Sequence, residues 1–172
     1  MSASRGDKAA AKFLNTIESG QVLTFVLDNE TFGIDILRVR EIRGWQSITR
    51  IPDSAAHVLG VLNIRGAMVP VLDLRTRMAM QPSEYSATTV IIVVSSVTQT
   101  GRHDVGFVVD SVSDVVDLRA DSVQPMPSVG AAISADYIRG ISIGGTGMVM
   151  LLDIDQIIGG DQRLMASSTA TT

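Results

Sequence analysis

Apolar and polar residues alternate along this chain in short runs, and turn-forming residues separate the runs. Val22–Leu27 and Thr31–Ile36 flank Asp28–Asn29–Glu30, a hairpin pattern. Val39–Arg43 alternates weakly and ends at Gly44. Pro52–Asp53–Ser54 reads as a turn, with a single helical turn over Ala55–Leu59. Val58–Ile64 and Met68–Leu72 flank Arg65–Gly66–Ala67 and predict a second hairpin. Leu74–Met80 predicts a short helix before Gln81–Pro82. Val90–Val94 is a continuous β-branched run, the pattern of a strand buried on both faces. Ser95–Asp104 is polar with one glycine and reads as a loop tip, and Val105–Val109 and Val112–Leu118 are further strands. Gln124–Val129 holds two prolines and is expected to be extended. Ile138–Ile143 and Met148–Leu152 form a third hairpin around Gly144–Gly145–Thr146–Gly147, followed by a closing helix over Asp153–Ile158. At the ends, Lys8–Glu18 sets Phe13, Leu14 and Ile17 on one helical face with Gly20 as its stop, and 159–172 is a tail of small polar residues expected to be disordered.

The pattern occurs twice. At an offset of eighty positions, Tyr137–Ile138–Arg139–Gly140–Ile141 falls on His57–Val58–Leu59–Gly60–Val61. Without a gap, Met148–Val149–Met150–Leu151–Leu152–Asp153–Ile154 then falls on Met68–Val69–Pro70–Val71–Leu72–Asp73–Leu74. At an offset of seventy-three, Val105–Gly106 falls on Phe32–Gly33, Val112 on Val39, Asp114 on Glu41 and Val115 on Ile42. The period is too long for a solenoid unit and there are only two copies. The strands number about five per half. The expected architecture is therefore all-β with a few short helices, as two similar five-stranded barrels packed together. Residues 1–20 precede them, about 21–81 form the first barrel and about 82–158 the second, with ends that can exchange between the barrels.

Composition narrows the function classes. At this length roughly 70% of the unfolded surface can be buried, so no covalent staple is needed. There is no cysteine, which excludes disulfides, thiolate metal sites and a cysteine nucleophile. The apolar runs are too short to cross a bilayer, and the first twenty residues lack the apolar core of a signal peptide, so a cytosolic protein is expected. A net charge of −4 and 4% aromatic residues argue against nucleic-acid binding.

Catalytic constellations are sparse. His57 aligns with Tyr137, so its position calls for a flat amphipathic ring, and His103 falls in the polar loop, where solvation is expected. Neither has a neighbour at metal-ligand spacing, so no metal or cofactor is expected. Asp73 and Asp153 look like a catalytic pair, and a small β-barrel hydrolase using them or His57 is the alternative reading. Yet they occupy equivalent positions before equivalent helices, and an N-cap explains both. The glycine-rich stretch Gly140–Gly147 precedes a strand and no lysine is near, so it is a hairpin turn and not a phosphate loop.

Positions alike in both copies serve the shared fold, which directs attention to those that differ. Asn63 and Arg65 have no polar counterparts in the second hairpin. An arginine fork suits a carboxylate or backbone carbonyls. Pro70 marks its strand as an edge or bulge, where another protein can dock. Val39–Trp45 is charged and ends on the single tryptophan, expected to be half-buried, whereas Val112–Asp117 is smoother. On this reading Glu41 pairs with Arg65 and orients a docking surface.

Phe32–Gly33–Ile34–Asp35–Ile36, Val39–Arg40–Glu41–Ile42–Arg43–Gly44, Gly60–Val61–Leu62–Asn63–Ile64–Arg65–Gly66 and Val69–Pro70–Val71–Leu72–Asp73–Leu74–Arg75 resemble the CheW family of bacterial chemotaxis coupling proteins. Val108–Val109–Asp110–Ser111–Val112–Ser113–Asp114–Val115 is similar to the matching segment of that family's second half, and the resemblance runs from about Gln21 to Ile158. It implies two SH3-like barrels and no catalysis. It also implies an adaptor linking transmembrane chemoreceptors to the histidine kinase CheA, and contact with the membrane only through receptors. The kinase's regulatory domain would bind at barrel ends, and the receptor's cytoplasmic signalling tip in a groove between barrels. Carried over by motif, the first-half interaction residues are Val39, Glu41, Gly60, Asn63 and Arg65. Gly106, Val112 and Val115 are the groove-lining residues of the second half. Ala55 stands where a proline is often found in the family, and 95–104 is a long version of its loop.

Overall fold

Each copy of the repeat folds as strand, strand, strand, hairpin, helix, and the two copies then exchange strands. In this computed structural model the described residues are 20–52, 55–98, 101–119, 122–125, 137–144 and 147–159. The strands are β1 (Gln21–Leu27), β2 (Glu30–Asp35), β3 (Val39–Gly44), β4 (Val58–Ile64), β5 (Ala67–Asp73), β6 (Val90–Thr98), β7 (Gly101–Val109), β8 (Ser111–Asp117), β9 (Val123–Gln124), β10 (Ile138–Gly144) and β11 (Gly147–Leu152). Two short helices, α1 (Leu74–Arg77) and α2 (Ile154–Gly159), follow β5 and β11, and a 3-10 turn over Ile36–Arg38 joins β2 to β3. The Lys8–Glu18 helix, residues 160–172 of the tail and most of the proline segment after Pro125 lie outside the described residues.

One sheet runs β8-β1-β2-β11-β10-β9 and the other β3-β6-β7-β5-β4. Replacing each strand by its repeat equivalent converts five strands of the first order into the second. The registers agree residue by residue. Leu151 lies beside Gly33 in the parallel β11–β2 pair, and Val71 beside Gly106 in the parallel β5–β7 pair, offsets of eighty and seventy-three. Bulges recur between Val58 and Gly60 and between Ile138 and Gly140. The sixth strand is the counterpart of a single bridge: Gln124 pairs with Ile141 where Thr49 pairs with Val61.

Burial explains the sequence patterns. A core of Leu62, Ile64, Val69, Val71, Ile91, Val93 and Val108 fills the five-stranded sheet, and a smaller one of Val22, Val149 and Leu151 fills the other. A larger core lies between, with residues from both sheets and from α1 and α2, including Phe25, Phe32, Phe107, Leu74 and Ile157. In β6, Ile91 and Val93 join the sheet's own core while Ile92 and Val94 join the shared one, which is why that run shows no polar face. Each such fully buried side chain stabilises the fold by about 1.5–3 kcal/mol.

Two local expectations are corrected. Val58 and Leu59 open β4 and do not belong to a helical turn, because the Val58–Gly60 bulge continues the ladder with β5. Ser95–Asp104 is not a loop tip: β6 and β7 stay paired out to Thr98 and Gly101. His103 is accordingly buried at 5% exposure, opposite the buried Ser96. Polar side chains hid this extension from period-2 patterning. The Ser96 hydroxyl is satisfied by donating to Asp155 at 2.6 Å.

Among the described residues two ion pairs bridge the copies. Arg75 of α1 grips Asp110, between β7 and β8, through both ends of its guanidinium, with Nε donating at 2.8 Å. Arg38 of the 3-10 turn grips Asp155 of α2 through Nη1 and Nη2 and donates from Nε to the Ser95 carbonyl at 2.7 Å. Arg77, in the last turn of α1, donates to the Ile157 carbonyl and lies 5.0 Å from the centre of the Tyr137 ring.

Candidate functional site

The turn of the β4–β5 hairpin is Arg65–Gly66, and both residues have positive φ, 51° and 86°. That matches the two-residue hairpin turn whose twist suits the flanking strands. Asn63 braces it, its Oδ1 accepting from the Gly66 N–H at 2.9 Å. Arg65 is thereby raised clear of the sheet, with its side chain 84% exposed, and its Nη1 meets Glu41 Oε2 at 3.1 Å. The other Glu41 oxygen accepts from Arg43 at 3.1 Å. Glu41 is on β3 and Arg65 follows the last residue of β4, and these strands are the two edges of the same sheet. The expected Glu41–Arg65 pair is therefore formed, and it spans the gap where the sheet curls on itself.

Gly60 lets the Thr49 backbone close against β4. Thr49 and Val61 exchange backbone hydrogen bonds of 3.2 and 2.8 Å, closing the edge of β4. A Cβ on Gly60 would lie 2.0 Å from the Thr49 carbonyl oxygen, and its φ of 149° already disfavours a side chain. Gly60 and Gly106 are both buried. Gly106 sits in the sheet's core, where a Cβ would meet Ile91 Cγ2 at 2.9 Å. Val39 is half-buried against the shared core, as is Val112, its equivalent on β8.

The second copy departs from this pattern. Asp114 occupies the position of Glu41, but its carboxylate accepts from the Val115 N–H at 2.9 Å, and its backbone N–H and carbonyl both engage Thr24 Oγ1. At the β10–β11 tip an exposed apolar pair, Ile143 and Met148, stands where Asn63 and Met68 stand in the first copy. Val115 is 43% exposed and Ile42, its equivalent on β3, 45%. Both edge strands thus carry an outward apolar side chain, one of them beside the Glu41–Arg65 pair and the other without such a pair.

Asp73 and Asp153 serve as caps. Asp73 Oδ1 accepts from the Arg75 and Thr76 N–H groups, and Oδ2 accepts from the Tyr85 hydroxyl at 3.0 Å. Asp153 Oδ1 accepts from the Gln156 N–H, and Oδ2 from Arg139 Nε at 3.0 Å. The backbone N–H groups of the two aspartates bind the carbonyls of the equivalent residues His57 and Tyr137, at 2.8 and 2.9 Å. Among the described residues no cluster of three metal-ligating side chains forms. Trp45 is half-buried and stacks on Tyr85 with centroids 4.0 Å apart. Burial, then the charge of and hydrogen bond to Asp73, push the Tyr85 hydroxyl up to about 12. Tyr85 lay outside every predicted element, and its contacts left no mark in the pattern.

A family model described as a CheW-like domain matches residues 21–162. The chain belongs to the CheW family. It is 38% identical over 150 residues to the chemotaxis protein CheW of Klebsiella aerogenes, covering 87% of this chain and 88% of that one. It is 36% identical over 148 residues to a probable chemotaxis protein CheW of Rhizobium etli, covering 86% and 92%. The scaffolding protein TtCheW of Thermoanaerobacter tengcongensis has a similar crystal structure, with a TM-score of 0.72 at 28% identity over 80% of this chain and 91% of that one. As a CheW-family member the chain is a chemotaxis coupling adaptor and not an enzyme. Neither the family nor the capped aspartates support the hydrolase alternative. No helix among the described residues is long and apolar enough to cross a membrane.

Proposed function

We propose that this chain couples transmembrane chemoreceptors to the histidine kinase CheA, binding the kinase's regulatory domain and the receptor's cytoplasmic signalling tip. It would act in the cytoplasm, recruited to receptor clusters at the inner face of the membrane. The observation that carries this reading is Arg65. A non-glycine residue in the left-handed region is disfavoured by roughly 1–2 kcal/mol, and glycine or asparagine would sit there without that strain. An exposed arginine kept at such a position, braced by Asn63 and aimed by Glu41, suits a carboxylate or carbonyl on a partner.

On this reading Glu41, Asn63 and Arg65 form the polar part of the docking surface on the first copy. Val39 contributes apolar surface beside them, and Gly60 acts by letting the edge close. On the second copy Val112 and Val115 line the receptor groove, whereas Gly106, expected beside them, is buried in the core of the other sheet against Ile91 and Val71 and serves packing there. Apolar groove residues fit the helical hairpin of a receptor tip. The charged pair adds orientation and on-rate more than raw affinity. Signal passes through such an adaptor only if its affinity differs between two receptor or kinase states.

The test is a calorimetric titration with the regulatory domain of a cognate CheA, repeated with Arg65→Asp. Saturable one-to-one binding that the substitution weakens is the expected result. A folded protein that binds neither the regulatory domain nor a receptor tip would overturn the coupling role.

A further inference from the structure

The two clamps between the copies occupy matching places in the repeat, with Arg75 and Asp155 equivalent and Arg38 one residue past the equivalent of Asp110, yet their charges are reversed. Arg75 and Asp155 are each the second residue of their helix, at the offset of eighty. Asp110 and Arg38 both lie in the connection entering the equivalent strands β8 and β3. The carbonyls that anchor them correspond, though the donors differ. The Asp110 N–H donates to the Val26 carbonyl on β1, and Arg38 Nε donates to the Ser95 carbonyl on β6, its equivalent.

The reversal sorts charge by copy. The first copy (β1–β5 and α1) supplies both cations, Arg38 and Arg75. The second (β6–β8, β10, β11 and α2) supplies both anions, Asp110 and Asp155. Each clamp joins one copy to the other, and so does each sheet, through the parallel pairs β11–β2 and β5–β7. Because the copies share strand order, register and bulges, the first copy of one chain has the backbone geometry to exchange strands with the first copy of another. Such a pairing sets Arg75 against Arg38 at both clamp positions. Two second copies would set Asp155 against Asp110. Two like-charge contacts would arise at each mismatched pairing, where the native chain has only attractive ones.

We propose that this charge reversal selects the pairing of unlike copies within one chain and disfavours strand-exchanged dimers made from like copies. Duplicated barrels that swap strands are open to such dimers, because each copy buries its open sheet against any partner of the same shape. Specificity between partners of one shape comes from building repulsion into the wrong one. The Arg75–Asp110 clamp also stays charged as this requires. Burial raises the Asp110 pKa, but hydrogen bonds from Arg75 and the Asp28 N–H, with the Arg75 charge, outweigh it and hold the carboxyl below its usual value.

The experiment inverts one clamp in the full chain with R75D/D110R. The monomer keeps an opposite-charge pair at both places, and net charge is unchanged. Each copy then carries one cation and one anion, so like copies become complementary. After unfolding and refolding across a concentration series, mass is measured by light scattering on a sizing column. The dimer fraction is expected to rise by about tenfold or more over wild type at equal concentration. Adding R38D/D155R inverts both clamps, sorts charge by copy again and is expected to return the fraction to the wild-type level. A double variant no more dimeric than wild type, or a quadruple variant as dimeric as the double, would overturn the proposal. If R75D/D110R does not fold, R38D/D155R erases the same discrimination through the other clamp. Failure of both doubles to fold also counts against it, since charge selects pairing only where an inverted pair is tolerated.

Discussion

Arg65 Nη1 lies 3.1 Å from Glu41 Oε2, and this contact joins the tip of the β4–β5 hairpin to the far edge of the same sheet. The arginine is mostly in water, so the pair itself adds about 0–1 kcal/mol to stability. Its consequence is directional: it sets where an exposed cation points.

Strain and function are therefore expected to separate at Arg65. Arg65→Asn relieves the positive φ of 51° and is expected to stabilise the protein by about 0.5–1 kcal/mol. The same substitution is expected to weaken binding to the kinase regulatory domain by about tenfold. Chemical denaturation and calorimetry on one sample check both. Lower stability together with unchanged affinity would remove Arg65 from the docking surface.

The glycines should rank by what surrounds them. Gly60→Ala drives a Cβ to 2.0 Å from the Thr49 carbonyl, and the backbone there cannot yield without breaking the Thr49–Val61 bridge. It is expected to destabilise by about 3 kcal/mol or more. Gly106→Ala meets only the Ile91 and Val71 side chains, and about 1–3 kcal/mol is expected. Gly44→Ala meets nothing within 4 Å and is expected to be near neutral. Urea midpoints at constant slope give the order, and a Gly44 effect as large as that of Gly60 would contradict it.

Val112 and Val115 make different probes of the second edge. Val115→Asp changes an exposed side chain and is expected to leave stability within about 0.5 kcal/mol while weakening receptor-tip binding. Val112→Asp places a charge against the shared core and is expected to destabilise by about 2 kcal/mol or more. Receptor binding unaffected in a folded Val115→Asp protein would take that residue out of the groove.

The Arg75–Asp110 clamp predicts an acid limb. The folded pKa of Asp110 lies below its unfolded value, so its stabilisation is complete above the unfolded value near 4 and fades as pH falls through the folded one. Asp110→Asn is expected to lose about 2 kcal/mol at pH 7. The gap from wild type should narrow as pH drops below about 4. A gap constant from pH 7 down to about 2 would show that the carboxylate charge is not what holds the clamp.

Local patterning determined a great deal here. Turn chemistry placed the hairpins at Asp28–Asn29–Glu30 and Arg65–Gly66–Ala67, and the structure narrows each to its first two residues, all with positive φ. The offset of eighty identified Asp73 and Asp153 as equivalent caps and left Arg65 unmatched, and the charged run Val39–Trp45 offered Glu41 as its partner. These signals were legible because each depends on a few adjacent residues or on comparison of one copy with the other. The β6–β7 extension was not legible, because Ser95, Ser96 and His103 are polar side chains buried by tertiary neighbours.

What the sequence alone determined was thus the inventory of strands, turns and caps, their duplication and the family. Tertiary structure alone decided which strands share a sheet. The β11–β2 and β5–β7 pairs are parallel and join segments far apart in the chain, and no turn specifies a partner at that range. The choice rests on how three cores close at once, with Gly33 and Gly106 admitting the valines packed against them and the two clamps settling the charges. Such a fit is a property of surfaces brought together, and no run of neighbouring residues contains it.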